Sequence, residues 1–474
     1  MNVRMMTTGR RQFLGGLVAL GAAGGCRGVL PGCRPNLRFG VVSDIHLTTP
    51  KSCRLLERSF RQFKRRGVDA VMIPGDLTDW GLRSSLVYLK RTWDKVFADT
   101  EVVPLFCTGN HDFEGWQYGD MAVEMRANGY SENENLAGLG MKVCWESVFG
   151  EKYASVRVRT VKGYDFISGE YRGYGELAKF MDANGGRFAG TKPFFYFQHL
   201  PLKGTTVDSH RWADDGSVAP VLAKYPNCIA FTGHTHRPFL DERSIWQDAF
   251  TIVNVPSLSY AGLPGDQQHE NGSGRRDGKP SQTMPVVPVR RDLRGGQGYI
   301  VDVWDDAVVI ERRDLEEDAS DCPDWTIPLP ACTAGRPYAY ATRENAEPVP
   351  EFPAGAKLEL ETRNTENRRG FWTIVLDCRF PTAEMPTGSR VFDYEIRAVP
   401  QDGSAPMVKY FFSPAYAKLA KFEPAVQRFW FDVAELPQDR DYVIEVRARN
   451  CFGKCSRPLV SSVWHSLSAP KKDK

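Results

Sequence analysis

The chain has 474 residues, enough for two or three domains around a sizeable core. Its 42% hydrophobic and 25% charged composition excludes a disordered or membrane-embedded protein, and no run reaches the roughly 20 apolar residues that span a bilayer. A net charge of +3 gives no general attraction for polyanions, so no specific nucleic-acid partner is expected.

Residues 1–33 read as an export signal. "TTGRRQFLGGLVALGAAGGC" sets Arg10 and Arg11 before Phe13-Leu14 and a small-residue apolar run, the order of a signal peptide rather than a helix of the fold. The paired arginines resemble a bacterial twin-arginine signal; a standard secretory signal with coincidental arginines is the alternative. "AGGC" at Cys26 and "LPGC" at Cys33 match a lipoprotein cleavage box imperfectly, which leaves a lipid anchor open. The expected location is the periplasm, or an anchored position facing the periplasm or cell surface. Eleven cysteines are too few for a disulfide scaffold. Export would permit bridges, and the pairs close in sequence are Cys322 with Cys332 and Cys451 with Cys455. Cys107 and Cys228 lie in apolar runs and are expected to be buried, inert thiols.

From Leu37, short apolar runs alternate with amphipathic stretches. "LRFGVVSD" reads as a buried strand, and "SCRLLERSFRQFKRRG" as a helix with Leu55, Leu56, Phe60 and Phe63 on one face and Gly67 as its stop. "VDAVMIPGD" is a strand, 83–97 a helix and "EVVPLFCTGNHD" a third strand. "YASVRVRTVKGYDFIS", within 141–172, predicts a hairpin with no intervening helix. "PFFYFQH", "NCIAFTGH" and "FTIVNVPSLSY" follow as further strands, then a polar loop over about 261–296 that is either disordered or a substrate-facing flap. "QGYIVDVW" and "AVVIERRDLE" close this part as a hairpin. Alternating strands and helices predict an α/β layered sheet over 37–315. The proline-rich segment 316–349 reads as a linker. Beyond it, 350–468 holds short β-type runs separated by turn signals, as in an all-β sandwich. "LPQDRDYVIEVRARNCFGKCS" resembles the late strands of a fibronectin type III domain, with Tyr442 in the place of its corner tyrosine.

Five of the strands end in "SDIH", "PGDLTD", "TGNHD", "FQH" and "TGHTH". Strand ends of an open α/β sheet converge on one edge, where ligands bind. Residues i and i+2 of an extended chain point the same way, so Asp44 with His46, and His234 with His236, are expected to face shared points. Carboxylate, imidazole and amide together make a ligand set of intermediate hardness, and the absence of cysteine argues against a structural zinc site.

In this order the elements resemble the calcineurin-like metallophosphoesterase family, whose pattern D-x-H, G-D-x-x-D, G-N-H-[DE], a lone H and G-H-x-H is complete over 37–312. The resemblance implies a layered sandwich of central β-sheets flanked by helices. It implies two divalent metals (Mn, Fe or Zn): one held by Asp44, His46 and His236, the other by Asn110, His199 and His234, with Asp76 bridging. It also implies that a metal-activated bridging hydroxide attacks phosphorus in line, without a phospho-enzyme. His111 would stabilise the transferring group and protonate the leaving oxygen, with Asp79 orienting it. Purple acid phosphatases carry tyrosine where this chain has Asp79, so no purple species is expected. The protein Ser/Thr phosphatases have Arg-Gly where this chain has Trp80-Gly81, leaving Arg83 or an arginine within 275–291 as substitutes.

Asp112 is equally well read as a helix N-cap or as support for the ligands. Trp116 and Tyr118 are expected in ordinary packing rather than in a substrate cleft, and His210, His269 and His465 on the surface or in loops. The function expected is an exported hydrolase of phosphate esters, small or polymeric, favouring phosphodiesters over phosphomonoesters. The alternative of another class is a binding or adhesion protein, in which the β-sandwich docks a protein or glycan and the metal site is structural or vestigial. Retention of the whole ligand set with His111 and Asp79 favours the enzyme.

Overall fold

The computed structural model describes residues 34–117, 121–131, 134–210, 212–262, 295–320, 322–366, 372–418 and 424–466. The expected export signal, the arginines of 275–291, Tyr118 and His269 lie outside them. From Pro35 onward the chain forms one compact unit. Among the described residues no helix is long and apolar enough to cross a membrane.

The α/β part is built on β1 (Leu37–Val41), β2 (Ala70–Pro74), β3 (Val103–Cys107), β4 (Val156–Val161), β5 (Tyr164–Gly169), β6 (Phe194–Phe197), β7 (Cys228–Thr232), β8 (Ile245–Gln247), β9 (Thr251–Asn254), β10 (Gln297–Val303), β11 (Ala307–Asp314) and β12 (Trp325–Pro328). They form two six-stranded sheets, ordered β12-β11-β10-β1-β2-β3 and β4-β5-β6-β7-β9-β8. β1, β2 and β3 run parallel, as do β5, β6, β7 and β9.

β2, β6 and β7 read as apolar runs and are buried along their whole length because both faces of the sheets are covered there. On the inner faces Phe39, Met72 and Leu105 meet Phe195, Phe197 and Phe231 in one buried cluster. The Phe39 ring stands edge-on to Phe166 and Phe195, with centroids 5.2 and 5.0 Å away. The alternate residues point outward, Val71 and Ile73 against Leu56, Phe60 and Phe63 of the helix Cys53–Arg66. Phe194 and Tyr196 likewise face Leu177 and Met181 of the helix Glu176–Asn184. The hairpin expected within 141–172 is β4–β5, but the start of that range is corrected: it folds into the helix Met141–Phe149, with Leu136–Leu139 just ahead of it. The proline-rich segment carries β12, paired antiparallel to β11, and the helix Tyr340–Ala346.

The C-terminal part is all-β: β13 (Glu359–Glu366), β14 (Trp372–Pro381), β15 (Asp393–Pro400), β16 (Met407–Phe412), β17 (Val426–Asp432), β18 (Asp441–Arg449), β19 (Leu459–Val460) and β20 (Trp464–His465). One sheet is β13-β14-β17 and the other β16-β15-β18-β19, with β20 also on β18. Their inner faces share one core that includes Leu376, Phe380, Phe429, Tyr394, Phe411 and Val446. Tyr442 donates its hydroxyl hydrogen bond to the Pro437 carbonyl at 3.1 Å. Phe392, Phe412 and Tyr416 belong instead to the core of the α/β part. There Tyr416 donates to Asp241 Oδ2 at 2.7 Å, and the Arg243 guanidinium lies 4.9 Å from the Phe392 ring centre.

Every described cysteine is a free thiol, Cys322, Cys332, Cys451 and Cys455 included, so neither bridge between neighbours in sequence is formed. Cys107 and Cys228 are buried, and burial pushes both thiols far up from their ordinary pKa.

Candidate metal centre

The C-terminal ends of the parallel strands carry the expected donors to one edge. Asp44 and His46 follow β1, Asp76 follows β2, Asn110 and His111 follow β3, His199 follows β6, and His234 and His236 follow β7. Backbone bonds tie the loops together: Asp44 N–H to Gly75 O at 3.2 Å, His46 N–H to Asp76 O at 3.1 Å and Gly233 N–H to His199 O at 2.9 Å.

The pairs spaced i and i+2 are not extended. Eleven described non-glycine residues have positive φ, and five of them are Asp44, His46, Asp76, His234 and His236, at 50°, 44°, 48°, 72° and 56°. Non-glycine residues adopt this region rarely, and such strain collects at functional sites. The expectation that His234 and His236 point alike from an extended chain is therefore corrected: left-handed turns send them to different clusters. The close approach also requires glycine. A Cβ on Gly75, which has φ of +90°, would lie 2.4 Å from His199 Nδ1, and one on Gly233 would lie 2.5 Å from Asp44 Oδ2.

Two donor groups result, with ligand atoms within 4.8 Å of one another in each: Asp44, His46, Asp76 and His236, and Asp76, His199 and His234. Asp76 is common to both. Asn110 joins the second, its Oδ1 2.9 Å from His199 Nε2. The imidazoles are set by bonds on the far side of each ring: His199 Nδ1 lies 2.9 Å from the Pro74 carbonyl, His236 Nδ1 3.0 Å from the Tyr260 carbonyl and His46 Nδ1 2.9 Å from Asp79 Oδ1. Each acceptor holds the proton on Nδ1 and turns Nε2 toward the cluster, an arrangement that could orient these histidines around a metal. His46 Nε2 and His236 Nε2 face each other at 3.2 Å, and His236 Nε2 is 2.8 Å from Asp44 Oδ1. Facing nitrogens and buried carboxylates suit a cation of borderline hardness.

A third group joins His46, Asp79 and His111. His111 Nδ1 lies 2.9 Å from the Asp79 backbone oxygen and 3.2 Å from its carboxylate. Asp79 thus holds His46 as well as His111, a wider role than orienting one imidazole.

The electrostatics are those of interlocked acids and bases. Burial alone would raise the Asp44 carboxyl, but the His236 and His199 imidazoles bring it well below the carboxylate range. Asp76 is lowered likewise by His199 and His111, and Asp79 by His111 and His46, each against its own burial. Burial would lower His111 and His199; the carboxylates, Asp76 foremost, push both up to about 9.

Asp112 is buried and links two ligand loops. It accepts from Gly109 N–H at 2.8 Å, which serves the start of the helix Asn110–Glu114, and from Thr78 N–H at 2.8 Å. Glu170 accepts from Thr108 N–H at 2.8 Å and pairs with Arg157, fixing the same loop from behind. Arg83 donates to Ser147 at the surface, and Trp116 packs with Trp80, Leu82 and Met125. His210 and His465 are exposed, the latter 2.8 Å from Asp441.

Some residues at the site escaped the sequence reading. The hydroxyls of Ser257 and Ser259 donate to the Asp44 carbonyl at 3.1 and 2.9 Å. The Tyr260 ring lies 4.2 Å from that of His236, and the Trp212 ring 5.6 Å from that of His234. The polar tail "SLSY" closes another strand run, the signal that marked the other loops; Trp212 carried none.

Residues 37–238 match the family model described as calcineurin-like phosphoesterase. Similar solved structures include GAP50, the anchor in the inner membrane complex of Plasmodium, at 12% identity over 62% of this chain and 88% of that one, with a TM-score of 0.33. Purple acid phosphatase PPD1 from yellow lupin seeds is 13% identical over 62% of this chain and 55% of that one, at 0.35. An archaeal phosphodiesterase is 11% identical over 62% and 100%, at 0.23. No curated protein matches the chain.

Proposed function

With a calcineurin-like metallophosphoesterase domain at its N-terminal side, we propose that the protein is an exported phosphoric-ester hydrolase that acts on phosphodiesters with two divalent metals. The observation that carries this is the pair of donor clusters sharing Asp76, buried except for the half-buried His234. In one reading Asp44, His46 and His236 hold one ion of Mn, Fe or Zn, and Asn110, His199 and His234 the other. Two such ions polarise a phosphoryl group and lower the pKa of water between them. His111, with Nδ1 anchored by Asp79, presents Nε2 to the leaving oxygen as the acid that protonates it. Export rests on Arg10-Arg11 and the apolar run after them. The C-terminal part is read as fibronectin type III-like, which its sheet orders and the Tyr442 hydroxyl bond to Pro437 support.

The test is elemental analysis of purified protein lacking residues 1–33, with hydrolysis of chromogenic mono- and diesters. Expected are about two metals per chain. His111→Ala is expected to keep the metals and lose about 10²–10⁴-fold in kcat. No metal uptake from Mn, Fe or Zn would overturn the reading.

A further inference from the structure

The edge strands of the two six-stranded sheets, β3 and β4, flank a cavity of about 110 Å³ that no member of the metal-donor clusters lines. The helices Arg83–Phe97 and Met141–Phe149 supply further walls. The aromatic lining is continuous: Trp93 stands edge-on to Phe106 at 5.3 Å, Phe106 to Phe149 at 6.0 Å, and Phe149 lies 4.6 Å from Trp145. Ser168 on β5 lies two residues after the inner-core Phe166 and directly opposite Arg157 on β4, so its side chain shares their inner face. It is 3% exposed and lines the cavity, yet its hydroxyl has no hydrogen-bond partner among the described residues. Trp145 Nε1 and Arg157 Nε, in residues of the same lining, are likewise buried without an acceptor. Buried polar groups are nearly always paired, so three such donors around one space mark a missing acceptor. The charges there are, by contrast, matched. Lys90 pairs with Asp94 at 2.6 Å, Arg159 with Glu151 at 2.5 Å and Arg157 with Glu170 at 2.5 Å. Arg157 also donates to the Phe106 carbonyl at 2.7 Å, and its guanidinium lies 4.4 Å from the Trp145 ring centre, so the wall is set before anything binds. An ion entering here would lose hydration without gaining an unmatched counter-charge, whereas an uncharged molecule bears no such cost. A closed apolar cavity of about 150 Å³ holds benzene; this smaller one, open beside the exposed Arg159, takes a single ring.

We propose that this cavity is a binding site, separate from the metal centre, for a small uncharged molecule with one apolar ring and one acceptor oxygen, which receives the Ser168 hydroxyl proton in a hydrogen bond. The ring packs on the aromatic lining and the oxygen supplies the acceptor that the buried donors lack. Such binding does not depend on hydrolysis at the metal centre.

Three ring compounds of similar size test it, each titrated with the protein as purified and followed by ¹⁹F NMR line width. They are 4-fluoroacetophenone, 1-ethyl-4-fluorobenzene, which lacks the oxygen, and 4-fluorobenzoate, which is charged. The ketone is expected to bind saturably, the ethyl compound about fivefold more weakly, and the benzoate most weakly. Ser168→Ala removes the hydroxyl and adds no bulk, and is expected to make the ketone and the ethyl compound bind alike. Ser168→Leu fills the cavity and is expected to exclude both, with the melting temperature showing that it folds; should it not fold, Ser168→Ala carries the test. Saturable binding of neither neutral probe would make the cavity a water-filled crevice and overturn the proposal. A ketone preference that survives Ser168→Ala would place the probe elsewhere, and benzoate as the tightest of the three would make the site one for anions; either result overturns it too.

Discussion

At the scale of single residues, the centre depends on which proton each group holds. Without metal, the raised His199 pKa means that its proton is shared with Asp76, whose Oδ2 lies 3.2 Å from Nε2. A histidine raised from about 6.5 to about 9 contributes stability fully below the lower value, and loses it as pH climbs through the upper one. A cation held by His199 would replace that proton. The melting temperature of metal-free protein is therefore expected to fall between about pH 6.5 and 9, while that of the Mn-loaded protein falls less. The increment on adding Mn²⁺ widens across the same window, as scanning fluorimetry at several pH values would register. A constant increment would place His199 outside the ligand set. Much of this scale was legible in the chain, because Asp, His and Asn at strand ends announce themselves by type. Trp212 and Glu170 did not, since each reaches the site from a segment whose local pattern is that of an ordinary loop or strand end.

At the scale of elements, the ligand loops are held by one another. Asp112 is the clearest case: both of its oxygens accept backbone N–H groups, Gly109 and Leu77 on one and Thr78 on the other. Burial and the nearby Asp76 push its pKa up to about 6, yet these donors require acceptors on both sides. Asp112→Asn turns one acceptor into a donor facing N–H groups, and is expected to cost about 1–3 kcal/mol in urea denaturation. Metal content is expected to drop with it, because Asn110 sits within the same turn. The strands were readable from their apolar runs, and the first two helices from their periodicity. The short helices ahead of β4 were not, since Leu136–Leu139 and Met141–Phe149 are too short for periodicity to separate them from loop. The left-handed turns at Asp44, His46, Asp76, His234 and His236 were equally hidden, because none of these residues is a glycine.

At the scale of the whole molecule, the all-β part shares its core with the α/β part. Phe392, Phe412 and Tyr416 pack with Phe239 and Leu240, which follow His236 by a few residues. Asp241 and Arg243 in that stretch bond and stack onto Tyr416 and Phe392. The protein from Pro35 on is therefore expected to melt in one calorimetric transition, and Tyr416→Phe to cost about 1–3 kcal/mol by removing a donor from a buried carboxylate. Two separate transitions would show that the halves fold independently. By itself the sequence determined the layered α/β architecture and the all-β C-terminal run, because burial on both faces writes apolar runs, and it singled out the Asp, His and Asn residues that the fold gathers. The left-handed turns that part His234 from His236, the double duty of Asp79, the aromatic residues around the centre and the docking of the sandwich were decided only by tertiary structure. These depend on contacts between segments distant in sequence, and such contacts leave no period in the chain.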